Sequence, residues 1–67
     1  MKKFFSGDIV RTKSSVFIEF QGCWIRQAVG SVLVILSSEK YYTMLSSKHG
    51  CGSLPSTWMD DRFEELK

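Results

Sequence analysis

The sequence predicts an all-β fold: a small, strongly curved barrel of about five short strands, with a short helical turn near the C-terminus. Three observations carry this expectation. Turn signals cut the chain into pieces of about five to nine residues: Ser-Ser doublets at 14–15, 37–38 and 46–47, five glycines and the single Pro55. The pieces between them are rich in β-branched and aromatic residues. The length of 67 residues allows one domain, 1–67, and short strands in so small a chain protect their edges by curving toward closure.

Ser6-Gly7-Asp8 reads as a turn into the first strand, Asp8 to Lys13. There Ile9, Arg11 and Lys13 share one side and Val10 and Thr12 the other, the mark of a half-buried strand. Val16 to Gln21 reads as a short strand or a structured loop, with Val16, Ile18 and Phe20 on one side and Phe17, Glu19 and Gln21 on the other. Residues 22–27 show no clear period. Gly30 to Leu36 is apolar on both sides and predicts a central strand covered on both faces. Ser37 to Lys40 makes a polar turn and Tyr41 to Leu45 the return strand, so residues 30–46 form a hairpin. Residues 46–56 read as a loop.

At the C-terminus two readings compete. Met59, Phe63 and Leu66 recur at helical spacing after a capping-box-like Thr57 to Asp60. The alternative is one helical turn over residues 59–62, then a strand over 63–66 pairing with the first strand. The second is preferred, because eight residues are too few for a helix standing alone. Trp58 reads as a short strand or a core anchor.

The net charge of +2 is too small for a strong nucleic-acid binder of the histone kind. It conceals a division. Residues 1–59 hold seven cations against three anions, and residues 60–67 hold four anions against two cations. A terminal strand beside the first one lets the two ends pair across strands. Hydrophobic content of 43% excludes intrinsic disorder. No apolar stretch of signal-peptide or membrane-spanning length follows Lys2 and Lys3, which places the chain in the cytoplasm by default. There Cys23 and Cys51 are expected as free thiols, although spacing alone does not forbid a bridge. With His49 they make three potential metal ligands, fewer than the four of a structural zinc site and without its paired spacing. No metal and no cofactor are expected.

Several segments together resemble small SH3-like barrels of the KOW and Tudor kind. They are Phe5-Ser6-Gly7-Asp8-Ile9-Val10-Arg11, Gly30 to Leu36, Tyr41 to Ser47, and Trp58 with Asp60 to Leu66. They cover 29 residues spread along the chain. Small proteins of tailed bacteriophages carry this pattern, and the chain looks like one of them. The resemblance implies an SH3-like architecture and brings no catalytic residues. Residues 14–27 are longer and more hydrophobic than the usual first loop, which suggests an added binding surface. Met44 and Leu45 stand near a position where the pattern often has Trp.

No arrangement of nucleophile, base or oxyanion donors is legible, so the chain is expected not to be an enzyme. His49 with Cys51, Asp60-Asp61 and Glu64-Glu65 read as solvated loop and surface groups. Two binding functions remain. One is a phage-type protein that binds and modulates a host protein of the transcription, replication or defence machinery, as a monomer or homodimer, through Phe17, Phe20, Trp24, Ile25 and Arg26. Trp and Arg are the types most enriched at interface hot spots, though Trp24 could equally fill a core. The other is a KOW-type nucleic-acid-binding barrel using Lys2, Lys3, Arg11, Lys13 and Arg26 with nearby aromatics.

Overall fold

The computed structural model describes residues 4–48 and 50–66. Within them the chain forms β1 (Ile9–Thr12), β2 (Val16–Phe20), β3 (Cys23–Gln27), β4 (Val32–Ser38), β5 (Tyr42–Ser47) and β6 (Gly50–Pro55). A 3-10 turn (Ser56–Trp58) then runs into α1 (Met59–Arg62) and β7 (Phe63–Glu65). The strands make one antiparallel sheet in the order β3-β2-β6-β5-β4-β1-β7. The sheet is not closed, and β3 and β7 are its edges.

The all-β class and the C-terminal helical turn are as expected, but there are seven strands among the described residues rather than about five. Two segments account for the difference. Residues 16–27 form a β2–β3 hairpin in full register, Val16 opposite Gln27 through Phe20 opposite Cys23. Its two-residue turn, Gln21-Gly22, has φ of 50° and 85°. Positive φ at both positions is what a tight hairpin turn demands to match strand twist. Gln-Gly meets the demand without the usual Asn-Gly signature, so the hairpin carries no obvious mark in the residue pattern. Residues 50–55, read as a loop, form β6 instead. Six consecutive pairs with β5, from Tyr42 opposite Pro55 to Ser47 opposite Gly50, outweigh the weak strand preference of Gly and Ser.

Alternation places the core. Val10 and Thr12, then Val16, Ile18 and Phe20, then Leu33 and Ile35 all turn inward. Burying each large apolar side chain contributes roughly 1.5–3 kcal/mol. The expectation that β4 is covered on both faces is corrected: Val32, Val34 and Leu36 alternate outward into solvent. β4 is central within the sheet, flanked by β1 and β5, but none of the described residues lies over its outer side. A bulge between Ile35 and Ser37 adds a residue to β4 before the turn to β5.

Buried hydroxyls lock the connections. Thr12 Oγ1 donates to the Ala28 carbonyl (2.8 Å) and accepts from the Ser31 N–H (2.9 Å), joining the end of β1 to the β3–β4 loop. Ser56 Oγ donates to the Glu39 carbonyl (2.6 Å) and meets Thr43 Oγ1 at 2.9 Å, tying the β4–β5 turn to the start of the 3-10 turn. At the C-terminus the turn-plus-strand reading holds. The Phe63 N–H closes α1 onto the Met59 carbonyl, and β7 then pairs with β1, Thr12 opposite Phe63 and Arg11 opposite Glu64. The acidic end thus lies against the basic first strand, with Arg11 and Glu64 in an ion pair.

Candidate functional site

The β2–β3 hairpin sorts the expected partner-binding residues by parity. Phe17 stands opposite Arg26 and Glu19 opposite Trp24, all on the outer face. Phe17 and Trp24 are exposed, Trp24 at 52%. The intervening pairs face inward. Phe20 is therefore not a surface residue: at 6% exposure it fills the core beside Gly52. Ile25 is half-buried and packs on the core from the same inward side. A strand side chain can serve only one face, and the core claims the even positions of β2.

The structure adds two residues from 34 and more positions away. The Trp58 ring lies 6.1 Å from the Trp24 ring, tilted by 48°. The Arg62 guanidinium lies 4.9 Å from the Trp58 ring centre. Both spacings suit favourable ring–ring and cation–ring contacts, each worth about 0.5–1.5 kcal/mol. Trp58 is half-buried against the core, and the Trp24 it meets stays half open. Trp58 and Arg62 are four residues apart across the helical turn, a spacing that puts them on one side. That was the signal available in the sequence. Their meeting with Trp24 was not, because it depends on where the hairpin folds back.

The cations proposed for nucleic acid are divided. Arg11 Nε and Nη2 both donate to Glu64 Oε2, the former at 2.8 Å. Its charge is therefore largely offset. Arg26 is on β3 at the opposite edge of the sheet from β7, where Glu64 lies. Lys2 and Lys3 lie outside the described residues, as does His49. Lys13 is exposed just after β1. Cys23 and Cys51 are both free and exposed.

A hollow of about 220 Å³ is lined by Gln27, Ser31, Val32, Ser47 and Lys48. It falls below the roughly 300–1,000 Å³ of a small-molecule site. The Gln27 amide nitrogen has no hydrogen-bond partner among the described residues, but it is shut off from solvent and offers no donor to a ligand there. Among the described residues no helix is long and apolar enough to cross a membrane. No family model, curated protein or solved structure gives a significant match to the chain.

Proposed function

We propose that the chain is a small, non-enzymatic SH3-like barrel of the phage type that binds a host protein and modulates it. The observation that supports this reading is the Trp24 cluster. A half-exposed indole meets a second indole, over which Arg62 lies, and shares the outer face of the hairpin with Arg26, Phe17 and Glu19. A large, pre-positioned aromatic with guanidinium neighbours is the composition of an interface hot spot, and bracing lowers the ordering cost of binding. The protein reading is preferred to the KOW-type nucleic-acid reading because Arg11 is already paired and exposed Asp60 and Asp61 adjoin the cluster in sequence. Those charges repel phosphates.

The test is affinity recovery from a bacterial lysate with the tagged chain. One dominant protein is expected. Trp24→Ala should weaken its retention about thirtyfold or more, as for a hot spot of at least about 2 kcal/mol. Lys13→Ala should leave retention unchanged. If Trp24→Ala unfolds the chain, Phe17→Ala and Arg26→Ala at exposed positions decide instead. Retention unaffected by all three, or tight binding to nucleic acid at low salt that falls steeply with added salt, would remove the proposal.

A further inference from the structure

We infer that the open edge of β3 takes its partner by strand addition, pairing with an extended segment that carries a carboxylate opposite Arg26 and an aromatic residue opposite Trp24. The inference rests on the reading of the Trp24 surface as a protein-binding site, and it names the kind of segment that surface takes.

The hairpin turn decides which backbone groups are free. In an antiparallel pair, residues that exchange both hydrogen bonds alternate with residues whose N–H and C=O point away. A two-residue turn makes its flanking pair the first kind, here Phe20 and Cys23. Ile18 with Ile25, and Val16 with Gln27, follow at every second position. The N–H and C=O of Trp24 and Arg26 therefore point away from β2. No described strand lies on that side, and these groups bond to nothing among the described residues.

The two edges of the sheet are not alike. Natural edge strands are blunted by shortness, charge, proline or a bulge. β7 is three residues long, carries Glu64 and Glu65, and its Phe63 N–H is taken by the Met59 carbonyl. β3 is five residues long in unbroken register with β2, and it holds one charge and no proline. β7 has the usual protection and β3 lacks it.

An antiparallel strand added to β3 continues the pattern of the sheet and exchanges both bonds with Trp24 and both with Arg26. Its side chains follow the parity of β3. Opposite Trp24 and Arg26 they stand on the outer face. Opposite Ile25 they turn inward, onto a side chain that is only half-buried. Charge sets the order. Glu19 stands opposite Trp24, and exposed Asp60 and Asp61 follow Trp58, whose ring meets Trp24. That end disfavours a carboxylate. Arg26 is exposed and has no ion pair among the described residues, so the carboxylate belongs opposite it. There it lies about 12 Å from Glu19, two strands across and two residues along, beyond the Debye length of about 8 Å at physiological salt. From its N-terminus the segment reads carboxylate, aliphatic, aromatic.

Fluorescence polarisation with the labelled peptide Ser-Thr-Glu-Val-Phe-Thr-Ser tests the inference. The wild-type chain should bind it with a dissociation constant of about 10 μM to 1 mM. Methylating the backbone nitrogen of the peptide's Glu or of its Phe should weaken binding at least about tenfold, while methylating that of Val, which points away from β3, should change it less than about threefold. Docking through side chains alone has no such parity. Replacing the peptide's Glu by Lys should also weaken binding at least about tenfold. On the protein, Arg26→Pro removes an N–H that β2 does not use, so the hairpin keeps its ladder. It should bind at least about tenfold more weakly than Arg26→Ala, with the circular dichroism of the parent. If Arg26→Pro unfolds, the methylated peptides on the wild-type chain decide. No binding up to about 1 mM, or methylation effects without this alternation, overturns the inference. Recovery from a lysate separates it from the broader reading. A partner that depends on Trp24 but is retained equally by folded Arg26→Pro and by Arg26→Ala overturns strand addition and leaves the Trp24 site standing. A wild-type chain that retains no partner removes that site, and this inference with it.

Discussion

Replacing Gly52 by alanine places a methyl group where the structure has no room for it. An added Cβ would meet Ile18 Cγ2 at 2.6 Å and Phe20 Cε1 and Cδ1 at 2.7 and 2.9 Å. Comfortable carbon–carbon contacts lie near 3.5–4.0 Å, so each must open by about 1 Å. Ile18 and Phe20 are both buried on β2, which joins β6 through the single pair Glu19 and Ser53 next to Gly52. Relief therefore requires lifting the hairpin or turning Phe20 off its packing. Overpacking of this kind costs about 1–3 kcal/mol, offset by about 0.4–1 kcal/mol from stiffening the unfolded chain. The net loss is about 1–2 kcal/mol in a domain whose whole stability is about 3–10 kcal/mol. Thermal melting should fall by about 5–15 °C, with a matching drop in urea midpoint. Shrinking the opposing ring should recover part of the loss: Gly52→Ala with Phe20→Leu should couple favourably by at least about 0.5 kcal/mol. A Gly52→Ala protein that melts at or above the wild-type temperature, or strict additivity with Phe20→Leu, would refute the reasoning.

Two further outcomes follow from the fold. Thr12→Val keeps the shape of the side chain but removes the hydroxyl that links Ala28 and Ser31; it should cost about 1–2 kcal/mol in urea denaturation, and a neutral result would deny that this link holds the β3–β4 loop. The Arg11–Glu64 pair is 48% and 37% exposed, so Arg11→Met should cost no more than about 1 kcal/mol at low salt and less in 1 M NaCl, as read by melting; a larger, salt-independent loss would mean that Arg11 acts through packing.

Much of the fold was legible because the responsible forces are local. Alternation in β1 and β2 marked the faces correctly, and the 30–46 hairpin declared itself through its β-branched run and polar turn. The brevity of the C-terminal segment argued for turn plus strand, and β7 bears that out. β6 was hidden because Gly50 to Pro55 has little strand preference of its own, and its pairing with β5 settles its conformation. Gly52 was read as a turn signal, yet it is a packing requirement set by Ile18 and Phe20. The candidate site divided in the same way. Phe17, Trp24 and Arg26 could be chosen by residue type, but Phe20 shares their segment and faces the other way.

By itself, then, the sequence determined the all-β class, the inward parity of the first two strands, and the closing of an acidic end onto a basic beginning. These depend on spacing along one strand or on charge balance, which can be read without knowing the neighbours. Only the tertiary structure decided that Trp58 and Arg62 complete the Trp24 cluster, and that one side of β4 lies bare. An apolar residue on a strand states a need for cover. Whether that need is met depends on the arrangement of the whole sheet, and the described residues leave Val32, Val34 and Leu36 exposed.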